Sequence, residues 1–260
     1  MADQGNSVTG QGFRLDGRTA LVTGASRGIG RQAALTMAAA GATVVLAARS
    51  ADDLEEVALA AKQAGAPDAL VAVTDVLDEA AVEATVAGAV EATGRLDVVV
   101  NVAGGQGFTA PVADTRSDGW DKVIALNLRS VFIACRAALG HLPAGGSVVN
   151  VASIAGFTAT PGLAAYGTAK AGVIALTRTL AVEAAPLGIR VNCLAPGWVR
   201  TELTRRMWSD PETSQALVSQ VPLGRWAEVE ELTGPLLLLA SDAGSYITGA
   251  TLVVDGGLLA

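Results

Sequence analysis

From Thr19 onward, short β-branched apolar runs alternate with longer Ala-rich stretches whose apolar positions recur at helical spacing. TALVT (19–23), TVVLAA (43–48), ALVAVT (69–74), LDVVVN (96–101), SVVNVA (147–152), IRVNCL (189–194) and TLVVD (251–255) read as strands. Helices are expected near 28–40, 51–64, 78–93, 119–141, 165–185 and 228–241. Such alternation implies right-handed crossovers and a seven-stranded parallel sheet covered by helices on both faces, a doubly wound α/β sandwich. Nothing divides residues 16–260 into two units, and residues 1–15 are expected to be a flexible tail. One segment breaks the rhythm. Residues 196–228 follow the sixth strand without a clear long helix, and ligands in open α/β sheets bind at the carboxyl ends of strands. A substrate lid is expected there, with a short helix over 201–207.

Composition narrows the partners. Hydrophobic residues make up 51% of the 260 and aromatic residues only 4%, so Ala, Val, Leu and Gly must build the core. Eighteen basic against 25 acidic residues give a formal charge of −7, which argues against duplex nucleic acid or an anionic membrane as partner. Cys135 and Cys193 have neither zinc-site spacing nor disulfide density, and are expected to be buried free thiols in a reducing cytoplasm. The N-terminus carries no basic segment followed by an apolar one, so a soluble cytoplasmic protein is expected. His141 is the only histidine, beside Pro143, and no metal site is expected.

The chemistry begins at TGASRGIG (23–30), directly after the first strand. Gly24 allows the tight exit, Gly28 a close approach of backbone to a pyrophosphate, and Gly30 close packing of helix on sheet. With Ser26, Arg27 and Ile29 between them, this turn would offer phosphates the free N–H groups of a helix N-terminus. Further on, Tyr166 and Lys170 stand four apart on an expected helix and so share a face. Ser153 lies at the end of the fifth strand. An ammonium about 5 Å from a phenol is worth roughly 3 kcal/mol, or about two pKa units, so Lys170 is expected to bring Tyr166 down into a catalytic range.

Together with NVAG (101–104), Asn127, PGWVRT (196–201) and VDGG (254–257), these segments resemble the short-chain dehydrogenase/reductase family, in the family's order over nearly the whole chain after residue 13. The resemblance implies a Rossmann-type fold and a nicotinamide dinucleotide. It makes Tyr166 the proton donor and acceptor, Ser153 the hydrogen-bond partner of the substrate oxygen, Lys170 the holder of the nicotinamide ribose, and Asn127 the holder of a proton-relaying water. It also places Asp75 and Val76 at the adenine, and Asn101, Ala103 and Gly104 along the ribose. Pro196, Gly197 and Val199 would meet the carboxamide, with Thr201 supporting it or the pyrophosphate. Val102 replaces a second Asn of the family pattern. Ala48 stands where NAD-preferring members usually carry Asp, while Arg27 and Arg49 could bind a 2′-phosphate. NADP(H) is therefore the expected cofactor, with NAD(H) second. Asp52 and Asp53 are better explained as first-turn acids of a helix capped by Ser50.

The expected activity is interconversion of a ketone and a secondary alcohol. PLGRW (222–226) looks like gluconate dehydrogenase members, and Arg200, Arg205, Arg206 and Arg225 could attract a carboxylate, so a sugar-acid or polyol dehydrogenase is an alternative. Reduction of 3-oxoacyl groups on a carrier protein is another, and a non-catalytic NADP(H)-binding scaffold a third. Trp198, Leu203, Met207 and Trp208 would either cover a small substrate or pack a short helix. The resemblance implies a homotetramer, or a homodimer, through the helices at 119–141 and 165–185.

Overall fold

A computed structural model describes residues 10–260. Its sheet has seven parallel strands: β1 (Thr19–Thr23), β2 (Thr43–Ala48), β3 (Ala69–Val73), β4 (Val98–Asn101), β5 (Ser147–Val151), β6 (Arg190–Pro196) and β7 (Thr251–Val254). Their order is β3-β2-β1-β4-β5-β6-β7. The winding reverses between β1 and β4, and this is the position where open α/β sheets form a ligand crevice. Among the described residues no helix is long and apolar enough to cross a membrane.

The helices are α1 (Gly28–Ala39), α2 (Ala51–Ala64), α3 (Glu79–Thr93), α4 (Ser117–Ile124), α5 (Ser130–Leu139), α6 (Ala164–Ala184), α7 (Arg205–Ser209), α8 (Pro211–Val218) and α9 (Thr233–Ala240). The strands are apolar on both faces because both are covered. Ala20, Val22, Leu46, Val100 and Val149 pack under α1, α2 and α9, while Leu21, Val45, Val99, Val148 and Val191 pack under α3, α5 and α6. The small side chains of α1 and α6 let the layers meet closely, as the scarcity of aromatics requires.

One register row is polar. Thr23, Asn101, Asn150, Cys193 and Thr251 are successive partners across β1, β4, β5, β6 and β7, just inside the carboxyl edge. Asn101 Nδ2 donates to Asn150 Oδ1 (2.9 Å), and Asn150 Nδ2 to the Thr177 hydroxyl on α6 (3.0 Å). These bonds fix α6 over the strands that end at the crevice.

Three expectations need correction. The expected tail spans residues 1–15; residues 1–9 lie outside the described residues, but Gly10–Phe13 form a 3₁₀ turn. Leu15 is fully buried and its N–H donates to the Ala40 carbonyl (2.8 Å), so packing begins before residue 16. The helix expected at 119–141 is interrupted by a π turn over Ala125–Arg129. In the segment 196–228 there are two short helices, α7 and α8, instead of one at 201–207. Asp210 caps α8 and Pro211 opens it, and a proline there cannot continue α7.

Candidate active site

β1 runs into the glycine turn. Gly24 takes φ 68°, and a Cβ there would stand 2.9 Å from the backbone of Ala103, so only glycine can turn the chain this close to the β4 loop. A Cβ on Gly30 would collide with the Gly24 carbonyl. α1 then begins without a side-chain cap and without an acid in its first turn, whereas α2, α3 and α8 are capped by Ser50, Asp78 and Asp210. The uncapped N–H groups and the positive end of the helix dipole suit phosphate oxygens. Ser26 and Ile29 are half-buried in the turn, and Gly28 faces Thr201, whose Cβ lies 3.6 Å from where a Gly28 Cβ would be. The turn therefore fits a dinucleotide pyrophosphate.

The Ala25 N–H donates to the Ala47 carbonyl (3.2 Å), drawing the turn against the end of β2. Arg27 and Arg49, each two residues beyond this bond, are both exposed. Neither pairs with a carboxylate among the described residues. Ser50 accepts from the Asp53 N–H, so Asp52 and Asp53 serve the first turn of α2. After β3, Val76 is buried and Asp75 accepts from the Leu77 N–H (3.0 Å), which fixes the bend at the carboxyl edge.

The residues expected to handle protons meet at the end of β5. Ser153 opens a 3₁₀ turn and accepts from the Ala155 N–H (3.2 Å). Tyr166, on the first turn of α6, is half-buried, and Lys170 Nζ lies 5.7 Å from the centre of its ring. Lys170 is buried and donates to the Val151 carbonyl (2.9 Å). The expected lowering of the tyrosine pKa is not found. Burial pushes the Tyr166 phenol above its usual value, opposed only by the Ser153 hydroxyl. Burial likewise pulls the Lys170 ammonium down to about 8, partly offset by the Cys193 thiol. Loss of hydration is the largest cause of both shifts.

Asn127 sits in the π turn and is fully buried. Its carboxamide donates to the Gly105 and Val123 carbonyls (2.8 and 3.0 Å) and accepts from the Gly105 N–H (3.1 Å). The Asn127 side chain is thus committed to the β4 loop. That loop carries Gly104, exposed; a Cβ there would come within 2.7 Å of Asn127 Oδ1 and 3.5 Å of Lys170 Nζ. Glycine keeps the approach to Lys170 open. Ala103 and Val102 give their N–H groups to the Thr23 hydroxyl (3.3 and 3.2 Å), and Val102 packs on the core where the family has Asn.

The Asn101 side chain, expected along the ribose, points into the sheet. Its side chain turns into the polar row, to Asn150 and the Cys135 thiol, with Oδ1 unpartnered, because in-register parallel strands send it under α5 and α6. Cys135 and Cys193 are both buried free thiols. Sequence reasoning missed Thr23, Asn150 and Thr177; the signal was a polar residue inside a buried strand or helix face.

PGWVRT leaves β6 against β7. The Gly197 N–H donates to the Val254 carbonyl (2.9 Å), and a Cβ on Gly197 would press on Asp255. Pro196 and Val199 are buried, and the Val199 carbonyl accepts from the Thr204 hydroxyl (2.6 Å). Trp198 packs edge-on against Trp226 (5.8 Å). Trp208 Nε1 donates to the Thr201 carbonyl (3.1 Å), which pins α7 over the strand exit. His141 follows α5 at the surface. No group of three or more His, Cys, Asp or Glu suited to a metal occurs among the described residues.

Comparison with known proteins agrees with this arrangement. A family model described as enoyl-(acyl carrier protein) reductase matches residues 24–259. Gluconate 5-dehydrogenase of Gluconobacter oxydans is 40% identical over 248 residues, covering 95% of this chain and 96% of that one. The short chain dehydrogenase/reductase astE of Aspergillus oryzae is 40% identical over 254 residues, covering 95% and 97%. The crystal structure of a gluconate 5-dehydrogenase from Burkholderia cenocepacia, in complex with NADP and tartrate, superposes with TM-score 0.89 at 38% identity, covering 96% and 98%. The chain belongs to the short-chain dehydrogenase/reductase family, and it is an oxidoreductase acting on CH–OH groups.

Proposed function

We propose that the protein is an NADP(H)-dependent oxidoreductase interconverting a ketone and a secondary alcohol, with Tyr166 as general acid and base. The carrying observation is the meeting of Ser153, Tyr166 and Lys170 at the end of β5, in the same crevice as the uncapped glycine turn. Bound nicotinamide supplies or accepts the hydride. Tyr166 gives its phenolic proton to the substrate oxygen in reduction and takes it back in oxidation, while the Ser153 hydroxyl hydrogen-bonds that oxygen. The phenol, pushed up by burial, is in its acid form at neutral pH, so reduction needs no prior change of protonation. Lys170 holds the ribose hydroxyls, and Asn127 positions the β4 loop that carries Ala103 and Gly104.

Gly24, Ser26, Gly28, Ile29 and Gly30 cradle the pyrophosphate. Asp75 and Val76 border the adenine, and Pro196, Gly197, Val199 and Thr201 border the carboxamide. Arg27 and Arg49 hold the 2′-phosphate. The preference for NADP(H) is supported by these two unpaired guanidiniums and by the absence of an acid at Ala48. Residues 196–228 act as the lid of a single catalytic domain. The exposed Phe132 on α5 and Val182 on α6 support association into a homotetramer or homodimer through these helices.

A second reading, a gluconate-type sugar-acid dehydrogenase, is favoured by the names of the relatives. The test is a panel of ketones, keto acids and 3-oxoacyl thioesters assayed with NADPH and NADH side by side. Turnover of a ketone with NADPH is expected, and NADPH binding without oxidation of any carbonyl would favour a non-catalytic scaffold.

A further inference from the structure

Resting on the oxidoreductase reading above, we propose that the substrate is an uncharged ketone or secondary alcohol with an apolar substituent, and that the cleft selects against carboxylates. Loops leaving the carboxyl ends of β4, β5 and β6 frame Ser153 and Tyr166. The first two are bound together: the Ala110 N–H donates to the Gly162 carbonyl (3.1 Å), and a Cβ on Gly162 would meet Thr109. Residues 102–113 and 152–169 of these loops contain no Asp, Glu, Lys, Arg or His; the first loop then adds exposed Asp114 and Arg116, and Arg116 pairs with Asp118 (2.9 Å). Each loop exposes a large apolar side chain: Val112 (71%), Phe157 (46%) and, on the third, Leu203 (53%). Apolar side chains exposed around a cleft mark a surface that gains by covering apolar ligand area.

Three of the four guanidiniums that could receive a carboxylate are already engaged. Arg200 pairs with Glu228 (3.0 Å), Arg205 with Glu202, and Arg225 is bidentate on Glu231 (2.6 and 2.7 Å). Arg206, exposed on α7, is the one of the four without a carboxylate partner among the described residues. The segment 196–228 carries Arg200, Arg205, Arg206 and Arg225 against Glu202, Asp210, Glu212 and Glu228, so it has no net charge to attract an anion. A carboxylate entering this cleft would lose its hydration and find only Arg206 unpaired with a carboxylate among the described residues, or would have to break an existing ion pair.

The test compares an alkyl 3-oxo ester with the 3-oxo acid of equal chain length at saturating NADPH. A kcat/KM for the ester at least about 30-fold above that of the acid is expected, and an equal or higher value for the acid overturns the proposal. Arg206→Ala is expected to leave ester turnover within about twofold. A tenfold or greater loss would reveal a polar anchor on the lid and overturn the proposal as well. Quenching of tryptophan fluorescence reads binding apart from turnover. If neither compound is reduced, tighter binding of the ester retains the preference for uncharged apolar ligands while counting against the proposed ketone reduction, and tighter binding of the acid overturns the class.

Discussion

Lys170 carries a conflict between stability and chemistry. Its ammonium is buried with one recorded hydrogen bond, to the Val151 carbonyl, and its pKa falls from the usual 10.5 to about 8. The unfolded chain therefore binds more protons than the folded one between pH about 8 and 10.5, and stability should rise with pH across that window, by up to about 3 kcal/mol. Lys170→Met should remove this rise and leave the protein as stable at pH 7 or up to about 2 kcal/mol more so, while activity is lost. Chemical denaturation at pH 7 and pH 10 checks it; a loss above about 2 kcal/mol at pH 7 would mean the charge is compensated. Reduction should slow above pH about 8, as Lys170 loses its proton. The shared face of Tyr166 and Lys170 was legible from their spacing on one helix, and the family resemblance added Ser153 at the end of β5. The direction of the tyrosine shift was not, since a charge-distance estimate omits burial.

At the scale of elements, the polar row and the π turn decide how the loops stand over the sheet. The strands were legible within a few residues because their apolar runs are continuous. The row was not, because Asn101, Asn150 and Thr177 become neighbours only when β4, β5 and α6 assemble. The π turn was hidden for a related reason: it breaks no helical composition and serves to turn the Asn127 carboxamide onto Gly105. Gly104→Ala tests the arrangement, since its methyl would press on Asn127 Oδ1 beside Lys170. The expected result is a fall in kcat of about tenfold or more with a stability loss of only about 1–3 kcal/mol, measured by steady-state kinetics and thermal unfolding. An unchanged kcat would show that the β4 loop does not border the reacting groups.

Over the whole molecule, a net charge of −7 makes local positive charge informative. Arg27 and Arg49 have no carboxylate partner among the described residues, whereas three of the four arginines of segment 196–228 are neutralised by carboxylates. The composition pointed to the acidic balance but could not say which arginines were paired. Arg27→Ala with Arg49→Ala should raise the KM for NADPH by about tenfold or more and leave that for NADH nearly unchanged. Equal effects on both would move the two side chains away from a 2′-phosphate. Sedimentation should give a particle several times the mass of one chain, and a monomer at working concentration would remove the association through α5 and α6. The most direct measurement is the rate of NADPH oxidation with a neutral ketone for wild type and Tyr166→Phe. A fall of about 1,000-fold in kcat with NADPH binding retained is predicted; a variant as active as wild type would contradict the assignment of Tyr166 as the proton donor.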